Sequence, residues 1–75
     1  MHRYLIVVEK ANGNYSAYAP DVPGCAATGE TQDEAERNLR DALELHLQGL
    51  IADGEPIPEP STIADYVTVG SLADP

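Results

Sequence analysis

The chain has 75 residues, 43% of them hydrophobic, with no Trp or Phe, one Cys, and thirteen acids against four bases for a formal net charge of −9. A chain this short buries only about 60–65% of the surface its unfolded form exposes, which allows one small core and excludes a second core or a deep substrate cavity. The longest apolar run, Tyr4-Leu5-Ile6-Val7-Val8, is far from the roughly 20 residues of a membrane span, one Cys closes no internal disulfide, and the acidity disfavours a phosphate backbone as ligand, so a cytoplasmic protein without membrane or direct nucleic-acid contact is expected.

Residues 3–9 read as a strand, since β-branched side chains cluster in Leu5-Ile6-Val7-Val8. Asn12-Gly13 follows, a pair that tolerates the positive φ angles of a type I′ turn, so Tyr15 to Ala19 should return antiparallel. With Asn12 and Gly13 as the loop, Val8 faces Ala17 and Ile6 faces Ala19. Alternation then puts Tyr4, Ile6, Val8, Tyr15, Ala17 and Ala19 on one side, where the alanines leave room for a helix. Leu5, Val7 and Tyr18 share the other side, which nothing in the chain covers. They are the candidate self-association residues, with a homodimer or a tetramer as the expected state.

Pro20-Asp21-Val22-Pro23-Gly24 must turn, because two prolines fix φ and remove donors. Cys25 to Thr28 is a short third strand. Thr31-Gln32-Asp33-Glu34 is a capping box, and Ala35, Leu39, Ala42, Leu43, His46, Leu47, Leu50 and Ile51 recur at helical spacing until Asp53-Gly54. Glu55 to Pro60, with three prolines, is an extended connector, and Ile63 to Val69 has strand composition. The order β-β-β-α-β, joined by a right-handed crossover, places the last strand beside and parallel to the first. An α+β fold is therefore expected, a four-stranded mixed sheet in order 3-2-1-4 with one helix on one face.

Charge is sorted along the chain. Residues 1–29 hold Glu9 and Asp21 against Arg3 and Lys10, whereas 30–75 hold the other eleven acids against Arg37 and Arg40. A two-metal carboxylate site could be sought in Asp21, Glu30 and Glu34, but such a site needs carboxylates converging from rigid strands, and the first three strands offer only Glu9. Asp21 is better read as a turn residue and Glu34 as half of the cap. His46 reads as a core or interface histidine, His2 as exposed, and Cys25 as a small buried residue. No catalysis, cofactor or metal is expected.

Tyr15-Ser16-Ala17-Tyr18-Ala19-Pro20-Asp21-Val22-Pro23-Gly24-Cys25, then Gly29-Glu30-Thr31 leading into Glu34-Ala35, the Ala42-Leu43 register, and Gly54-Glu55-Pro56-Ile57-Pro58-Glu59-Pro60 form an ordered series. Together these elements resemble the HicB-like antitoxins of bacterial toxin–antitoxin systems across most of residues 4–60. The resemblance implies a partial ribonuclease-H-like fold and a partner, a small basic HicA-type toxin that cleaves messenger RNA. Acidic side chains would compete with RNA phosphates for the toxin's cationic surface while the folded body blocks its active site. Asp21, Glu30 and Glu34 are the candidate partner-binding residues. Many members continue into a helix-turn-helix or ribbon-helix-helix module, whereas this chain stops at Pro75, so a single domain over residues 1–75 without a DNA-binding module is expected. The alternative is an orphan oligomeric module with a scaffolding or small-ligand role and no toxin.

Overall fold

A computed structural model describes residues 2–72. Its hairpin has the register that the Asn12-Gly13 loop requires: β1 (Val7–Lys10) pairs antiparallel with β2 (Tyr15–Tyr18), with Val8 opposite Ala17 and Val7 opposite Tyr18. The Ala11 amide donates to the Asn14 carbonyl at 2.8 Å. The turn departs from type I′, however. Gly13 carries the positive angle (φ 80°) and Asn12 does not, so glycine alone supplies the left-handed step.

The turn after β2 is tied by the Val22 amide to the Ala19 carbonyl (3.0 Å) and the Cys25 amide to the Val22 carbonyl (3.2 Å). It leads into β3 (Ala26–Gly29), which pairs antiparallel with β2. Thr31, in extended conformation, then caps α1 (Gln32–Ala52), its hydroxyl accepting from the Glu34 amide at 3.1 Å. The Glu34 carboxylate reaches back as expected, but to the amide of Glu30, one residue before the cap, at 2.7 Å. At the far end Gly54 takes φ 70°, and the Gly54 and Glu55 amides donate to the carbonyls of Ile51 and Leu50 at 3.1 and 2.8 Å, which closes the last turn.

α1 lies across the face carrying Tyr4, Ile6, Val8, Tyr15, Ala17 and Ala19, all six of which belong to or pack on the core. Its buried centre is Ala17, Ala19, Val22, Cys25, Ala35 and Leu39, of which Leu39 and Val22 are the largest fully buried side chains. The helix comes very close. A Cβ on Gly29 would overlap the Ala35 backbone and stand 2.9 Å from the Glu34 carbonyl carbon. With 21 residues α1 is about 32 Å long, whereas strands of four residues reach only about 13 Å. Its second half therefore overhangs the sheet, and Leu45, His46 and Ile51 are exposed.

The expected four-stranded mixed sheet in order 3-2-1-4 does not form. Among the described residues the sheet has three strands in order β1-β2-β3, every pair antiparallel, and the element order is β-β-β-α. The α+β class stands, but the final strand of the β-β-β-α-β expectation is absent: residues 63–69 have no ladder partner and are exposed along their length. The cause lies in the connector. Ser61 and Thr62 are bonded to Asp21 in the turn between β2 and β3, which carries the chain away from β1.

Because so few large side chains fill the core, each should matter. Leu39→Ala is expected to lower unfolding free energy by about 2–5 kcal/mol, the range for a buried leucine whose site cannot collapse. Chemical denaturation followed by circular dichroism measures this, and a loss below about 1 kcal/mol would place the centre of the core elsewhere.

Candidate functional site

The connector is fixed by two side chains far from it in sequence. The half-buried Tyr4 hydroxyl donates to the Pro58 carbonyl at 2.6 Å. Asp21 then receives four hydrogen bonds: its Oδ2 from the amides of Ser61 and Thr62, each at 2.9 Å, and its Oδ1 from their hydroxyls at 3.2 and 2.6 Å. The Thr62 hydroxyl foremost, then the Thr62 amide and Ser61, hold the Asp21 carboxyl down at about 2. Burial first, then the negative charges of Glu59 and Asp21, pushes the Tyr4 hydroxyl above its ordinary value. The expected turn role of Asp21 is thus replaced by a contact 40 residues away. A Ser-Thr pair directly after a proline-rich run was the only available signal.

Glu30 and Glu34 meet at the start of α1 through the cap, while Asp21 lies beyond the opposite end of β3, so the three acids do not converge. Among the described residues no group of three or more His, Cys, Asp or Glu side chains is placed to hold a metal ion. Cys25 is buried, which raises its thiol above the usual value. His46 stands exposed on the overhanging half of the helix, beside Leu45 at the edge of a groove formed with Gly24, Cys25 and Ala26. His2 is exposed, its ring stacked 6.3 Å from that of Tyr4.

Two surfaces of opposite character result. α1 carries Asp33, Glu34, Glu36, Asp41 and Glu44 against Arg37 and Arg40. Across the sheet from it, Val7, Tyr18 and Ala26 stand in one cross-strand row and Glu9, Ser16 and Thr28 in the next. Tyr18 is 41% exposed and Leu5 and Val7 are half-buried, so this face is apolar at one end, with Glu9 its only charge at strand positions. What the arrangement offers is surfaces for contact.

A family model described as the HicB-like antitoxin of bacterial toxin–antitoxin systems matches residues 4–74. The chain belongs to the HicB-like antitoxin family. It is 39% identical over 71 residues to an uncharacterised 14.9 kDa protein of the rep–hol intergenic region of Haemophilus phage HP1, covering 95% of this chain and 53% of that protein. The HicB-like chain thus spans about half the length of that relative. Among solved structures it is similar to a chain of the HicA3 and HicB3 toxin–antitoxin complex, at 30% identity and a TM-score of 0.67 over 80% of this chain and 70% of that one. It is equally similar in shape, at 38% identity and a TM-score of 0.67, to the N-terminal domain of the Burkholderia pseudomallei antitoxin HicB, covering 79% of this chain and 70% of that one. Membership of an antitoxin family points to a protein-binding, non-enzymatic role. No helix among the described residues is long and apolar enough to cross a membrane.

The Asp21 clamp predicts acid sensitivity confined to the connector. Its folded value of about 2 lies below the unfolded one, so the clamp stabilises fully above about pH 4 and fades as pH falls towards 2. The amide shifts of Ser61 and Thr62 should titrate together with a midpoint near 2, and Asp21→Ala should abolish that transition while leaving the hairpin unchanged. An ordinary carboxylate midpoint would break the clamp argument.

Proposed function

We propose that this HicB-like chain neutralises a small basic HicA-type, messenger-RNA-cleaving toxin by occluding it. The observation that carries the reading is the sorting of charge: eleven of the thirteen acids fall in residues 30–75 against two arginines, and α1 displays five of them on a rigid element. Such a surface steers a cationic partner and competes with RNA for the groups that would hold phosphate. The structural likeness to a chain of a toxin–antitoxin complex supports the same reading. Residues 1–75 act in it as a single domain in the cytoplasm, touching the toxin and not nucleic acid.

Of the candidate contact acids, Glu30 is exposed and Glu34 keeps its second oxygen beside it at the start of α1. Asp21 would meet the toxin only around its bonds to Ser61 and Thr62. The apolar outer face of Leu5, Val7 and Tyr18 serves self-association, since contact there holds two acidic helices on opposite sides of the assembly. This gives a homodimer, or a tetramer if a second contact exists.

Co-expression with a cognate basic toxin should restore growth, and association of the purified proteins should slow steeply between low and physiological salt. Glu30→Lys combined with Glu34→Gln, which retains a capping acceptor, should slow association several-fold with little change in dissociation. Rates indifferent to salt reject electrostatic steering, and absence of rescue rejects the antitoxin reading in favour of an oligomeric module. For the outer face, Val7→Asp or Tyr18→Asp should reduce the mass measured by light scattering, and an unchanged mass excludes that face.

A further inference from the structure

The overhanging half of α1 has a groove along one flank. The Asn38 side chain donates to the Thr28 carbonyl at 2.8 Å and ties the helix to β3. From that tie α1 runs back along the strand, and a groove of about 380 Å³ lies between Ala42, Leu45 and His46 on the helix and Gly24, Cys25 and Ala26 where β3 begins. Leu45 stands at its edge 73% exposed, and Ile51 beyond it is 62% exposed.

Gly49 continues the same flank, four residues after Leu45 and seven after Ala42. Glycine weakens a helix relative to alanine, and two of the usual reasons for it are missing here. Gly49 has no positive φ, and a Cβ on it would stand in open space. The backbone is left bare where a body from outside the chain can come close.

Charge around this groove has one sign. No Lys or Arg follows Arg40, whereas seven acids do, among them Asp41 and Glu44 on the adjoining turn and Asp53 at the C-cap. The last turn of α1 carries no basic residue, so the negative end of the helix dipole has no cation among its own side chains. The groove on the other flank differs, because Glu36 and Arg40 both line it and balance each other. A second copy would bring the same seven acids to this end and be repelled, whereas a cationic protein is drawn to it.

We propose that this groove seats the anchor of the basic toxin: a large aliphatic or aromatic side chain enters between Leu45 and the start of β3, and Lys or Arg residues beside it meet Asp41, Glu44 and the C-terminal end of α1. The inference rests on the antitoxin reading and adds a division of roles to it. Glu30 and Glu34, at the first turn, act on approach, and the groove at the far end acts on retention. A few central side chains held in a desolvated pocket carry most of the affinity of such a contact, while charges at its rim set the rate of encounter.

Association and dissociation rates, measured with a purified HicA-type toxin whose growth arrest the chain relieves, test this. Leu45→Arg and Gly49→Gln alter exposed helix positions, so thermal melting followed by circular dichroism should show both folded, with Gly49→Gln at least as stable as the unaltered chain. Both should speed dissociation by at least about tenfold. Glu30→Lys with Glu34→Gln, and Arg40→Gln in the other groove, should leave dissociation unchanged. In the unaltered complex, amide hydrogen exchange should slow at residues 24–26 and 45–52. Unchanged dissociation in Leu45→Arg and Gly49→Gln, or exchange slowed only along residues 4–8, overturns the proposal and leaves the antitoxin reading standing, since the unaltered chain still binds. An unaltered chain that binds no toxin overturns both. A fall in the light-scattering mass of the chain alone on Leu45→Arg gives the groove to a second copy and overturns the proposal as well.

Discussion

The separation between α1 and the sheet is set by residues with almost no side chain. Ala17 and Ala19 on one layer and Ala35 on the other are essentially inaccessible, and Gly29 ends β3 where a single added carbon would collide with the helix backbone. Close approach lets one leucine and one valine seal the interior, since short side chains bring backbone and dispersion contacts together without voids. It also fixes where the helix must begin. The Thr31 cap and the Glu34 bond to Glu30 place its first turn against the end of β3. From there the direction of α1, the overhang of its second half and the exit of the connector all follow.

A domain with so thin a core has little reserve, and that gives the connector weight. Its residues bury little, yet Tyr4 and the four-bonded Asp21 tie it across the open end of the sheet. Bonds to an ionised acceptor are worth more than neutral ones where solvent is excluded, and much less at a carboxylate open to solvent such as that of Asp21. Asp21 therefore decides direction more than stability. The same residues that would have delivered a fourth strand to β1 are delivered to the other side.

Local signals were legible in the sequence and distant ones were not. The hairpin register, both faces of the sheet and both ends of α1 could be read because Asn12-Gly13, Thr31-Glu34 and Gly54 act on neighbours within a few residues. Even there detail slipped. The turn uses Gly13 alone at positive φ, and the cap reaches Glu30. Val22, within the proline turn, is wholly buried, and its burial has no local signature. Ile63 to Val69 has the composition of a strand, but composition records what a segment would do with a partner and not whether one is in reach. The opposing fact, an aspartate 40 residues earlier binding Ser61 and Thr62, has no local signature. For the contact acids the outcome is mixed in the same way. Glu30 and Glu34 meet because the capping carboxylate of Glu34 reaches back to the Glu30 amide, and Asp21 stands apart because β3 intervenes.

Charge then divides the surface between kinds of partner. With −9 on each copy, two chains would meet most easily where little of that charge lies, and the strands satisfy this with Glu9 as their one acid. α1 is poorly suited to that purpose, because its five acids outnumber its two arginines, with Asp33, Asp41 and Glu44 exposed to solvent on a long rigid element. That helix is suited instead to a cation. On the proposed reading, contacts between like chains and contacts with a basic protein would fall on different sides of the molecule, and neither would have to displace the other. The overhanging end of α1, with Leu45 and Ile51 in water next to this acidic stretch, adds apolar area where a cationic partner would already be held. Attraction at a distance and burial on contact are thus available on one element, which is what occlusion of a nucleic-acid-binding surface requires.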